Sequence, residues 1–189
     1  MLPFIFLPFF NKETTENLTT KKNYVIIYIE NEKMKGKIMK YIYTDGGCSG
    51  NPGPGGWGFA IFDENNKIIN FGYGKKSDTT NNEMELRAIL EAYRYIQKHD
   101  DSYVVYTDSA YCLNSLTNWM FGWERNGWIK SDKKVPKNLE LFKELFEFFN
   151  DPAHAPLEKV SGHTGIIGNE AADALATGNL QKFDNLKNL

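Results

Sequence analysis

The sequence predicts an α/β fold: a five-stranded mixed sheet, three antiparallel strands followed by parallel additions, flanked by helices. Two observations carry this expectation. Between Tyr41 and Tyr73, apolar runs are separated only by short turns, the pattern of an antiparallel meander. From residue 82 onward, apolar residues at helical spacing alternate with short β-rich runs. Strands and helices in the order β-β-β-α-β-α-α-β-α make a mixed sheet with helices on its faces.

Taken in order, Tyr41-Ile42-Tyr43-Thr44 reads as a strand entering a Gly/Pro-rich turn from Gly46 to Gly56. Trp57 to Phe62 is the second strand, Asn65-Asn66 a turn, and Lys67 to Tyr73 the third strand. Residues 82–98 place Met84, Leu86, Ala88, Ile89, Ala92, Tyr93 and Ile96 on one helical face. Tyr103 to Tyr106 is a buried strand, followed by a helix from Ser109 to about Met120. Leu139 to Phe149 is amphipathic, Leu157 to Val160 is the last strand, and Glu170 to Ala176 begins the last helix. No repeat or linker divides this stretch, so residues 39–180 are expected as one domain and 181–189 as a tail.

The first 38 residues stand apart. Met1 to Phe10 is apolar but too short to span a bilayer, and it lacks a basic flank or a small-residue cleavage site. A polar stretch follows, interrupted by the β-like run Tyr24 to Ile29. The expectation is a disordered or loosely packed extension; Met34 and Met39 offer alternative starts, and a membrane anchor is the weaker reading.

With 41% hydrophobic and 24% charged residues, 189 residues suit one well-buried domain. A net charge of -2 excludes a globally basic nucleic-acid binder, so any such contact needs a local patch. Cys48 and Cys112 have neither zinc-like spacing nor a disulfide framework, which favours a reducing, cytoplasmic compartment. A monomer is the default expectation.

Four acidic residues sit where a surface role is awkward. Asp45 and Asp108 each end an apolar strand, Glu85 lies between Met84 and Leu86, and Asp173 lies in Glu-Ala-Ala-Asp-Ala-Leu-Ala. Each has an ordinary reading: Asp45 opens a turn, Asp108 caps a helix, Glu85 favours a helix dipole, Asp173 is solvated. If the two strands are adjacent, however, Asp45 and Asp108 converge, and carboxylates that converge repel unless a cation neutralises them. Oxygen-only donors favour Mg²⁺ or Mn²⁺ over zinc. Two such ions about 4 Å apart suit in-line displacement at a phosphodiester.

The segments Tyr43-Thr-Asp-Gly-Gly-Cys-Ser-Gly-Asn-Pro-Gly-Pro-Gly-Gly-Trp-Gly58, Thr80-Asn-Asn-Glu-Met-Glu-Leu86, Thr107-Asp-Ser109 and Gly162-His-Thr-Gly165 with Asn169-Glu-Ala-Ala-Asp173 resemble the ordered motifs of the ribonuclease H type 1 family. The resemblance spans roughly residues 39–178. It implies a ribonuclease H-like fold and an endonuclease that hydrolyses the RNA strand of RNA–DNA hybrids, leaving 5′-phosphate and 3′-hydroxyl ends. It further implies that Asp45, Glu85, Asp108 and Asp173 hold two Mg²⁺ ions, with Mn²⁺ a possible substitute. His163, on a loop, would assist proton transfer or product release; capping of the following helix is its ordinary alternative. Asn169 and Glu170 would position this loop or the attacking water, and Asn169 reads equally well as a helix N-cap.

The resemblance also implies the substrate contacts. An A-like helix offers a wide minor groove lined with 2′-hydroxyls, where shape is read. Asn51, Asn81 and Asn114 would contact that groove with Cys48 nearby, and Thr80 would help hold a DNA-strand phosphate. The segment 118–138 interleaves Trp119, Trp123 and Trp128 with Arg125, Lys130, Lys133, Lys134 and Lys137, and resembles the family's basic handle. Trp119 and Trp128 read as fasteners of the handle, Trp123 as the sugar contact. Ala110, Gly122, Glu124 and the apolar Ile166-Ile167 pair depart from the family pattern and bear on affinity and turnover.

Three rival readings fit parts of the sequence. A catalytically inactive hybrid-binding module should lack a carboxylate, and all four are present. A DNA-acting nuclease of the same superfamily would share the acids but not the Asn-rich set and tryptophan handle. A phosphate-loop NTPase fails because no Gly-Lys-Ser/Thr follows the glycines.

Overall fold

The computed structural model describes residues 37–162 and 164–189. The apolar opening stretch, the Tyr24–Ile29 run and His163 therefore lie outside the described residues. Strands β1 (Met39–Cys48), β2 (Gly53–Phe62) and β3 (Ile68–Thr79) form the antiparallel meander. β4 (Ser102–Thr107) joins β1 in parallel and β5 (Leu157–Lys159) joins β4 in parallel, giving the order β3-β2-β1-β4-β5.

The two-residue period of the strands divides the core. Ile42, Phe59, Ile61 and Val105 face one cluster with α1 (Asn81–Ile96) and α4 (Leu139–Phe149). Tyr41, Tyr43, Ala60 and Phe62 face another, covered by α5 (Ile167–Thr177) and α6 (Leu180–Lys187). Between β4 and α4 the chain runs through α2 (Ala110–Asn114), a π-helical turn (Ser115–Trp119) and α3 (Met120–Arg125).

Several elements differ from the sequence expectation. The expected turn from Gly46 to Gly56 is largely strand: β1 runs on to Cys48 and β2 begins at Gly53, with Gly46, Gly47 and Cys48 pairing with Trp57, Gly56 and Gly55. β3 continues six residues past Tyr73, because Lys75 and Lys76 pair with Gly56 and Gly55 of β2. As an edge strand facing water it needs no apolar alternation there, so the pattern carried no mark. The helical path after Ser109 runs on to Arg125 through the π turn, held by Met120 and by Trp123 against Phe142. The expected tail is a helix: Gly178, at φ +76°, ends α5 and turns the chain into α6, whose Phe183 is 2% exposed. No helix among the described residues is long and apolar enough to cross a membrane.

Candidate active site

Parallel pairing of Thr44 with Thr107 sets Asp45, inside β1, level with the end of β4, so Asp45 and Asp108 emerge side by side. Glu85 reaches them because the first turn of α1 lies directly on β1. A Cβ at Gly46 would stand 2.2 Å from the Met84 carbonyl carbon and 2.3 Å from the Glu85 nitrogen, so this approach requires glycine. Thr80 starts the helix there, its hydroxyl accepting from the Glu83 N–H at 3.3 Å.

Asp45, Glu85 and Asp108 each bring one carboxylate oxygen within 4.8 Å of the others. Burial, then the Asp108 charge, push Asp45 from an ordinary value of 3.8 up to about 7; the Gly46 N–H, donating at 2.7 Å, opposes this. Burial, with Asp45 and Asp108 adding, holds Glu85 well above the usual carboxylate range. Its Oε2 is buried without a hydrogen-bond partner among the described residues. Crowded, under-neutralised, oxygen-only donors fit a hard divalent cation, and the orphaned Oε2 is an acceptor awaiting one.

Asp173 lines the same cleft but stands outside this trio. Its Oδ2 accepts from the Lys182 ammonium at 2.9 Å, and Lys182 also donates to Glu170 Oε2 at 2.6 Å. α5 seats Asp173 by lying against β2: a Cβ at Gly58 would meet the Ala172 carbonyl oxygen at 2.8 Å. Asn169 is not the helix N-cap, a position taken by Ile166. It is buried, and its Nδ2 donates to Asp108 Oδ2 at 3.2 Å.

The expected groove contacts gather partly. Asn81 Oδ1 accepts from the Cys48 N–H at 2.9 Å, and Asn51 Oδ1 accepts from the Asn81 N–H at 3.4 Å. Cys48, Asn51 and Asn81 thus form one cluster, and Asn81 lines the acidic cleft as well. Asn114 lies apart from it, exposed at the end of α2 and bonded to the Ala110 carbonyl.

Of the two rings expected as fasteners, Trp128 is half-buried edge-on to Phe146 at 5.8 Å, whereas Trp119 is 46% exposed on the π turn. Trp123 is half-buried, edge-on to Phe142 at 5.1 Å. Arg125, Lys133 and Lys134 are exposed and form no ion pair among the described residues, while Lys130 pairs with Asp132 at 3.1 Å.

Sequence reasoning missed the Asn169–Asp108 contact and Lys182. The first had no sequence signal, since it joins residues 61 positions apart. The second had one: Leu180, Phe183 and Leu186 recur at helical spacing in the supposed tail.

The family model described as RNase H matches residues 37–181. The chain is 44% identical over 135 residues to a ribonuclease H of Maricaulis maris, covering 71% of this chain and 89% of that one. It is 45% identical over 148 residues to a ribonuclease H of Rickettsia bellii, covering 76% and 90%. Among solved structures it is similar to LC9-RNase H1, a type 1 RNase H with the type 2 active-site motif, at 29% identity and TM-score 0.63 over 75% of this chain and 72% of that one. It is also similar to LC11-RNase H1 in complex with an RNA/DNA hybrid, at 26% identity and TM-score 0.55 over 74% and 94%.

Proposed function

The chain belongs to the ribonuclease H family and is a ribonuclease H enzyme; on that premise we propose that it cuts the RNA strand of RNA–DNA hybrids internally. Two divalent cations, Mg²⁺ or Mn²⁺, would be held by Asp45, Glu85, Asp108 and Asp173, and the products would carry 5′-phosphate and 3′-hydroxyl ends. The observation that carries this reading is the convergence of three carboxylates within 4.8 Å, one of them with an orphaned oxygen. When bound, the cations supply an activated water and stabilise the leaving oxygen.

The chain's own groups then have separable tasks. Asn169 holds the Asp108 carboxylate through Oδ2, limiting its rotation. Asn51 and Asn81 spend their Oδ1 atoms on backbone N–H groups. Their Nδ2 donors have no recorded partner among the described residues, which suits the acceptors of a minor groove. Asn114 and Cys48 extend that contact, and Thr80 helps hold a phosphate of the DNA strand. Arg125, Lys133 and Lys134 meet phosphates, with Trp119 and Trp123 offering rings to the DNA sugars. His163 assists proton transfer or product release. Hybrid binding is supported by the relative solved on a hybrid. The enzyme works as a monomer in the cytoplasm, a reading in keeping with its two free cysteines.

The test is cleavage of end-labelled RNA–DNA, RNA–RNA and DNA–DNA duplexes, with Mg²⁺ or EDTA, by the wild type and by Asp45→Asn. Cutting confined to the RNA of the hybrid, and abolished by EDTA and by D45N, is expected. Binding without cutting would leave a hybrid-binding module, and cutting of DNA–DNA would leave a DNA nuclease.

A further inference from the structure

Of the four acids assigned to the cations, Asp173 is the one whose oxygen does not join the converging set. An ammonium holds it instead. Lys182 reaches Asp173 Oδ2, in the lining of the cleft, at 2.9 Å and Glu170 Oε2 at 2.6 Å. Lys182 is not a loose surface side chain. Its backbone N–H donates to the Asn179 cap at 3.1 Å, and the next residue, Phe183, packs on Phe71 with ring centroids 4.7 Å apart.

We infer that Lys182 is a positioning residue that holds Asp173 and competes with a cleft cation for it, so that α6 sets the cation concentration at which Asp173 joins the site. The inference rests on the proposed metal role of Asp173. A divalent cation on Asp173 would stand beside the ammonium that already holds Oδ2, and the two positive charges repel. Glu170 supplies the second half of the device. Released from Asp173, the ammonium retains Glu170 as a carboxylate partner, so the exchange leaves no charge unpaired. Lys182 thereby lowers cation affinity in the free enzyme while keeping Asp173 in place for the loaded one.

The full chain, its Lys182→Met variant and its Lys182→Arg variant would be titrated with Mg²⁺ by calorimetry in the absence of nucleic acid. The Mg²⁺ midpoint for hybrid cleavage and the Tm in EDTA would be measured alongside. K182M is expected to bind Mg²⁺ about two- to fivefold more tightly, the scale of one partly exposed charge pair, and to shift the cleavage midpoint down equally. K182R, which keeps the charge, should stay near the wild type. If K182M melts well below the wild type, K182Q replaces it in both measurements. Unchanged or weaker binding in a folded variant overturns the inference while the metal site stands. A wild type that binds no Mg²⁺ overturns the metal site itself.

Discussion

The acidic cleft and the basic handle are assembled in opposite ways. Each carboxylate of the cleft trio is placed by a regular element or its end: β1 for Asp45, α1 for Glu85, the end of β4 for Asp108. They sit buried or half-buried, close enough to repel. The handle, residues 118–138, starts on the π turn and α3, but from 126 onward it has almost no regular structure and bends at positive φ through Gly127, Trp128, Lys133 and Asn138. It is tied by local bonds, such as Asn126 Nδ2 to the Ile129 carbonyl at 2.9 Å, and by Trp128 on Phe146. Its cations stand in water, where charge costs little. A catalytic cluster works against folding and needs rigid elements to impose it, whereas a phosphate-binding surface needs only an anchor.

That contrast predicts a graded series of effects. The largest is Asp108→Asn, which should reduce kcat for hybrid cleavage by at least about 10³-fold, the equivalent of roughly 4 kcal/mol in the barrier. Single-turnover cleavage at saturating hybrid measures it, and a loss confined to KM would erase the distinction between cleft and handle.

Next is a gain of stability. Asp45 is raised from 3.8 to about 7 in the fold, so folding favours its protonated form. Below the unfolded value both states are protonated and the penalty vanishes; it grows as pH rises toward 7 and is complete above that. In EDTA at pH 8, Asp45→Asn should therefore be more stable by roughly 2–4 kcal/mol, several degrees in Tm. The advantage should shrink steadily as pH falls toward 4. Thermal melts across that range check it, and a D45N that melts lower at pH 8 would show that the cleft is not under electrostatic strain.

The smallest effect belongs to the handle. Lys133→Ala with Lys134→Ala should raise KM several-fold, leave kcat near the wild type, and flatten the log–log salt dependence of hybrid binding by up to about two. Tm should hardly move, because neither side chain forms an ion pair among the described residues. A fall in kcat would mean that the handle positions the scissile bond.

Much of this was legible in the residues themselves. The meander, the helix over 81–96 and the strand end before Asp108 follow from side-chain periodicity, because a face that meets the core must be apolar; Asp45, expected at a strand end, lies inside β1. The four ordered motifs also marked the acids and the family before any coordinates. Legibility failed where periodicity carries nothing. The polar end of β3 is held by pairing with β2 on an exposed edge. The π turn, which leaves Trp119 half-exposed beside Tyr111 and Trp123, does not show in the spacing of its residues.

By itself, then, the sequence determined the family, the order of the elements, and which acidic residues are proposed for the site. Only the tertiary structure decided who meets whom. Asn169 reaches Asp108 across 61 positions, and a helix in the supposed tail delivers Lys182 to Asp173. The reason is physical. Local pattern reports whether a residue faces water or core, while the partner of a buried or half-buried polar group depends on which elements pack together.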